Sequence, residues 1–206
     1  ASIQYYLKAQ QDTITFEILD ANDKLINTFT GSKPKYEVDP DLPWWQKGGS
    51  SKPTTAKGIN TFTWDLRYPG ATEFDGMIIW SARPQRGPKA PIGTYKVRMK
   101  TKDYEKMYSF DVLMNPNLKG ITKEDLDEQF DLANKIMQKT SMANEAVIRI
   151  RKIKAVIDSA KQKIASSDFK KVVSPFLEKI SGVEEELYQV KNQSNQDPLN
   201  FPIKLN

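Results

Sequence analysis

The sequence predicts an α+β chain in which the strands come first and the helices after them. From Ala1 to about Pro116 apolar residues recur at every second position, whereas from Gly120 onward they recur with the helical period of 3.6. No long helical pattern interrupts the first half, so the two kinds of element stay apart. The division expected is residues 1–117 for the strands and 118–206 for the helices.

Taken in order, Ile3 to Leu7 opens the strand series. Ile14, Phe16 and Ile18 then alternate with Thr15 and Glu17, and Lys24 to Phe29 follows after the turn-forming Asp20-Ala21-Asn22-Asp23. In TFTWDLRYPG, Thr61 to Gly70, the residues Phe62, Trp64 and Leu66 alternate with Thr63 and Asp65, and Pro69-Gly70 ends the run. Met77 to Trp80 is a short continuous apolar run. Beyond Pro91-Ile92-Gly93, Tyr95, Val97 and Met99 alternate with Lys96 and Arg98, and Tyr108, Phe110 and Val112 with Ser109 and Asp111. Each alternating run has one wet and one dry face. Roughly seven short strands of this kind can bury their dry faces only by packing sheet on sheet, which predicts an immunoglobulin-like antiparallel β-sandwich.

One segment breaks the alternation. Gly31 to Gly58 carries four prolines and the adjacent pair Trp44-Trp45, and reads as a long excursion from one end of the sandwich. Adjacent aromatics in such a loop could pack within the chain, dock on a neighbouring domain, or offer a flat platform to a sugar ring. Trp80 and Arg83, beside Pro84-Gln85-Arg86-Gly87-Pro88, could extend the same surface, although the core is the simpler place for Trp80.

The helical half begins with Thr122 followed three residues later by Asp125, a capping box with the shorter acid, and with Glu124, Asp127 and Glu128 against the positive end of the helix dipole. Leu126, Phe130, Ala133, Met137, Ala146, Ile150, Ile153 and Ile157 form a stripe, with Thr140 and Ala143 as its narrow middle. The first helix is expected to run about 40 residues to Ala165, roughly 60 Å, with a break at Ser166-Ser167-Asp168. A second helix is expected over Phe169 to Lys191, bent near Pro175, with Phe176, Ile180, Val183, Leu187 and Val190 facing the first. One apolar stripe on each predicts a long antiparallel helical hairpin followed by an extended tail, and the same seam could serve a homo-oligomer.

The side-chain inventory limits the chemistry. The 206 residues include no cysteine and no histidine, which removes thiolate nucleophiles, Ser-His-Asp triads, disulfides and the common zinc motifs. No cofactor, metal or catalytic residue is expected. A carboxylate pair made by Asp65 with Glu73 or Asp75 is the one arrangement that could cleave a glycoside, but acids this close in sequence around a turn are common. The net charge of +5 is scattered, and its densest run, Arg149 to Lys154, is interleaved with isoleucines at helical spacing, so it reads as a solvated helix face and not as a nucleic-acid site. The longest apolar run falls far short of the roughly 20 residues of a membrane span. Because Ser2 to Leu7 already reads as a strand, a fragment of a longer protein is expected, with any export signal upstream.

The order of these motifs resembles a known family. Tyr5-Tyr6-Leu7-Lys8, Glu17 to Ala21, Gly58 to Pro69, Gly87 to Val97 and Asn115-Pro116 before a long helix, closed by Asp197 to Asn206, are similar to the C-terminal region of bacterial sortilin-like propeller proteins carrying a glycosyl hydrolase label. The β half separately resembles the immunoglobulin-like domain of flagellar hook-capping proteins, through the Asn-x-Phe-x-Trp-Asp run from Asn60 to Asp65 and the turn before Tyr95; Ile92-Gly93 replaces the usual proline-glycine pair. The resemblance implies a non-catalytic accessory region behind a β-propeller, exported to the bacterial periplasm or cell envelope, docking on that propeller or on another partner. The alternatives are a carbohydrate-binding module using Trp44 and Trp45, or a carboxylate-based glycoside hydrolase.

Overall fold

The computed structural model describes residues 1–33, 52–79, 84–164, 167–202 and 204–205. Its elements are β1 (Ser2–Leu7), β2 (Thr13–Asp20), β3 (Leu25–Ser32), β4 (Gly58–Thr63), β5 (Arg67–Pro69), β6 (Arg86–Lys89), β7 (Gly93–Lys100), β8 (Glu105–Val112), α1 (Lys123–Lys163), α2 (Ser167–Leu187) and a 3₁₀ turn, Asp197–Leu199. The chain is thus α+β, with strands first and helices last. Internal proximity separates it into two compact units, Ala1–Pro69 with Lys89–Phe130, and Gly70–Pro88 with Asp131–Asn206. This grouping differs from a cut at 117/118: Gly70–Pro88 goes with the helices, and the first two turns of α1 go with the strands.

In the first unit, β3-β2-β7-β8 form a four-stranded antiparallel sheet and β1 pairs with β4 in a two-stranded one. The alternation read from sequence places Ile14, Phe16, Ile18, Tyr95 and Val97 inward, where they are buried with Tyr5, Leu7, Phe62 and Trp64. A register shift between Ile18 and Leu19 lets both of these neighbours bury, which strict alternation forbids. Rings bridge the two layers: Phe16 lies 5.0 Å from Tyr5 and 5.3 Å from Phe62, and Phe29 lies 4.9 Å from Phe62. Each fully buried side chain of this size contributes roughly 1.5–3 kcal/mol. At the β2–β3 turn, Asp20 Oδ1 accepts from the Asn22 and Lys24 amides, both at 2.9 Å, and Asp23 takes a positive φ of 63°.

TFTWDLRYPG is less regular than its alternation suggests. β4 stops at Thr63, Trp64 is buried beside Tyr95 and Phe110, and its Nε1–H donates to the Arg67 carbonyl at 3.1 Å. Leu66 then adopts φ 62° while Asp65 Oδ1 accepts from the Arg67 amide, so a turn, not a continued strand, separates Phe62 and Trp64 from Leu66.

Met77-Ile78-Ile79 is not a strand. Its backbone is bound by side chains that follow the end of α2, because Ile78 N–H donates to Tyr188 Oη at 2.9 Å and Asn192 Nδ2 donates to Ile78 O at 3.5 Å. Thr72 is fixed in the same way: its N–H donates to Ser141 Oγ at 3.1 Å and its carbonyl accepts from Asn144 Nδ2 at 2.7 Å. A short apolar run that would suit a strand is here held against helices by side-chain to backbone bonds that no local pattern encodes.

The capping box forms as read. Asp125 N–H donates to Thr122 Oγ1 at 3.2 Å, and Asp125 Oδ2 accepts from the Thr122 amide at 2.8 Å. α1 ends within two residues of the expected place, and α2 keeps Pro175 inside it. Two details of the stripes need correction. On α1 the buried residues are Ala143, Asn144, Val147 and Ile150, while Ile153 is exposed and Arg151 and Lys154 turn toward α2. α2 ends at Leu187 and not near Lys191, so Val190, which is exposed, lies beyond it; on α2, Phe176 and Val183 are exposed, and Val173, Leu177, Ile180, Glu184 and Leu187 take the more covered positions. The reason is one buried carboxylate, described next, which draws charged residues onto the covered face.

Candidate functional site

The four residues expected to form a docking or glycan surface, Trp44, Trp45, Trp80 and Arg83, lie outside the described residues. The three acids considered as a carboxylate pair are all exposed, Asp65 in the first unit and Glu73 and Asp75 in the second. Asp65 is occupied as the acceptor of the turn at Arg67. Among the described residues no group of three or more acidic, histidine or cysteine side chains is placed to hold a metal ion.

The second unit contains the most completely built polar cluster. Glu184 on α2 has a side chain only 6% exposed, and it accepts from Arg151 Nε at 2.8 Å and Lys154 Nζ at 2.6 Å, both on α1. Burial alone would raise the Glu184 pKa; the hydrogen bonds and charges of Lys154 and Arg151 more than offset it and hold the carboxyl below its ordinary value. The Arg151 guanidinium lies 4.7 Å from the Phe74 ring centroid and 5.3 Å from that of Tyr188, and those rings meet edge to face at 5.0 Å. Tyr188 Oη in turn accepts from Ile78 N–H. With an oxygen committed to each cation and rings covering the guanidinium, this arrangement can clamp α2 and the segment around Phe74 to α1; it holds no nucleophile. No local pattern signals it, since Arg151 and Glu184 are 33 positions apart. The run Arg149 to Lys154 is accordingly not a purely solvated face: Arg149 is, but Arg151 and Lys154 are structural.

The first unit carries a different kind of feature. On the outward face of the β1–β4 pair, the register partners Tyr6 and Ile59 are 62% and 82% exposed. Beside them a cleft of about 860 Å³ runs along β1 toward β8, where Tyr104 and Tyr108 are also exposed. Hydrogen bonds from Tyr104 and from Lys106 lower the pKa of the Tyr108 phenol, and the Lys106 ammonium lies 5.0 Å from its ring centroid. Deeper in the same unit, Tyr95 donates to the Pro91 carbonyl at 2.8 Å, and burial, with Tyr68 beside it, pushes its phenol up.

The chain matches no family model, no curated protein and no solved structure. No helix among the described residues is long and apolar enough to cross a membrane.

Proposed function

We propose that this chain is a non-catalytic accessory and interaction region, an immunoglobulin-like β-sandwich followed by an antiparallel helical hairpin, that docks on a β-propeller of the same exported bacterial protein or on a partner of it. The sandwich reading is supported by the two antiparallel layers that share one core, and the hairpin reading by the Glu184 clamp between α1 and α2. The observation that carries the docking reading is the exposed pair Tyr6 and Ile59, adjoining further exposed tyrosines. Large apolar side chains grouped on a sheet face mark a contact surface. The lack of histidine and cysteine argues in the same direction. Trp44, Trp45, Trp80 and Arg83 are proposed to take part in docking as well.

The test is the reading frame upstream of Ala1 together with binding of the encoded upstream domain to this chain. Propeller repeats that bind the wild-type chain, and bind Tyr6→Ser with Ile59→Ser at least tenfold more weakly, are expected. An upstream region without propeller repeats overturns the reading, as does binding indifferent to both substitutions.

A further inference from the structure

Among the described residues, β1 and β8 each keep one edge without a strand partner. Among the described residues β1 pairs with β4 alone and β8 with β7 alone. Both strands line the same cleft of about 860 Å³, to which β1 contributes all of Ser2 to Leu7 and the floor contributes Phe16, Val97 and Met99.

The cleft exists because two strands cannot cover four. Val97 and Tyr108 are register partners on one face of the larger sheet, yet Val97 is 6% exposed and Tyr108 is 51% exposed. The β1–β4 layer shields the first and stops before the second. Neighbouring strands lie about 4.8 Å apart, so the uncovered place beside β1 is suited to a further strand.

The edge itself is unguarded. Exposed strand edges are ordinarily blunted by charge, proline or a bulge. β1, SIQYYL, has no charged residue and no proline, and its register with β4 is unbroken. On β8 the charges Glu105, Lys106 and Asp111 flank an uncharged stretch from Met107 to Phe110. In a chain that is 28% charged, Lys8 is, among the described residues, the only charged side chain lining the cleft. A cationic occupant would give up hydration there without a counter-charge, whereas an uncharged one would not.

We propose that the cleft is a strand-acceptor site for an extended, uncharged segment of a different polypeptide, which pairs with the free edge of β1 and lays alternate apolar side chains over Met99 and Tyr108. Backbone bonds along β1 provide the affinity and the Met99–Tyr108 floor selects the side chains. β1 has six residues, so a segment of about six to eight residues, roughly 20–26 Å when extended, matches it. The inference rests on the reading of the chain as an interaction region and shares Tyr6 with the docking face, whereas Ile59 does not line the cleft.

The test uses the whole chain and an acetylated, amidated eight-residue peptide alternating threonine and valine, with two controls: proline at alternate threonines, and lysine in place of valine. Saturable one-to-one binding is expected by calorimetry, with amide exchange in β1 slowed about tenfold or more. Both control peptides should bind at least tenfold more weakly. Tyr108→Lys should weaken binding about tenfold while leaving the circular dichroism unchanged, and Val172→Ser, at an exposed position of α2 in the other unit, should not alter it. Equal binding of the proline peptide, or no slowing in β1, overturns the proposal. So does a chain whose β1 amides are already protected by self-association, or a cleft that binds a neutral oligosaccharide and not the peptide. Peptide failure with propeller docking intact removes this site alone; docking failure with peptide binding intact removes only the propeller reading.

Discussion

Replacing Glu184 with alanine tests how far one buried carboxylate organises the helical unit. Losing one partner of a fully buried pair costs about 3–5 kcal/mol, and losing one of an exposed pair about 0.2–1 kcal/mol. Glu184 is almost fully covered, but the Arg151 and Lys154 side chains stay 38% and 28% exposed and regain water once it is gone. The cost should therefore fall between those limits, at about 2 kcal/mol at pH 7. For a chain of this length that lowers Tm by about 4–8 °C. The pH dependence has a definite sign. Because the folded pKa lies below the ordinary value of 4.5, the stabilisation is complete above that value and is lost as pH falls through the folded pKa. Urea unfolding followed by helical circular dichroism should show the gap between wild type and variant at pH 7 and its narrowing as the solution is acidified below the ordinary carboxyl value. A gap that persists in acid, or none at neutral pH, refutes the assignment of a stabilising carboxylate.

Four further outcomes are expected. Trp64→Ala removes a fully buried ring system and its bond to the Arg67 carbonyl, so the strand unit should lose about 3–5 kcal/mol, seen as loss of sheet signal at lower denaturant. Gly31→Ala would drive a Cβ into the Pro53 carbonyl oxygen, a backbone atom, and should cost about 1–3 kcal/mol in the same assay. Thr122→Ala loses the bond to the Asp125 amide and should cost about 1 kcal/mol, with fraying of the first turn of α1 visible in amide exchange. On α2, Val172→Ser at a position 75% exposed should change stability by no more than about 0.5 kcal/mol, whereas Ile180→Ser on the covered side should cost clearly more by urea unfolding.

Much of the architecture could be read from residue periods. The runs around Phe16 and Val97 are strands because β-branched and aromatic side chains alternate there with polar ones, and α1 begins where Thr122 and Asp125 can exchange bonds. What escaped the sequence depends on contacts between distant positions. Met77-Ile78-Ile79 has the composition of a strand, but Tyr188 and Asn192 claim its backbone. Phe176 and Val183 look like seam residues, but the seam contains Glu184, and a buried carboxylate brings Arg151 and Lys154 where apolar residues would be expected. A stripe drawn from hydrophobicity alone rotates to the wrong face whenever a buried ion pair occupies the right one.

The acceptor edge escaped the sequence for a related reason. The tryptophans drew notice because they are large and adjacent, which concerns composition; an acceptor edge is defined by what is missing beside it. Tyr108, Phe110 and Val112 alternate as a core strand should, and nothing in that run reveals that the covering layer ends before Tyr108. The one legible sign was in β1: six residues with neither charge nor proline form an edge that a solitary domain would ordinarily guard. An unguarded edge over an apolar floor costs solubility when empty and gains both hydrogen bonds and burial when filled. Under the proposed reading, docking of a partner segment is what gives such an edge a reason to exist.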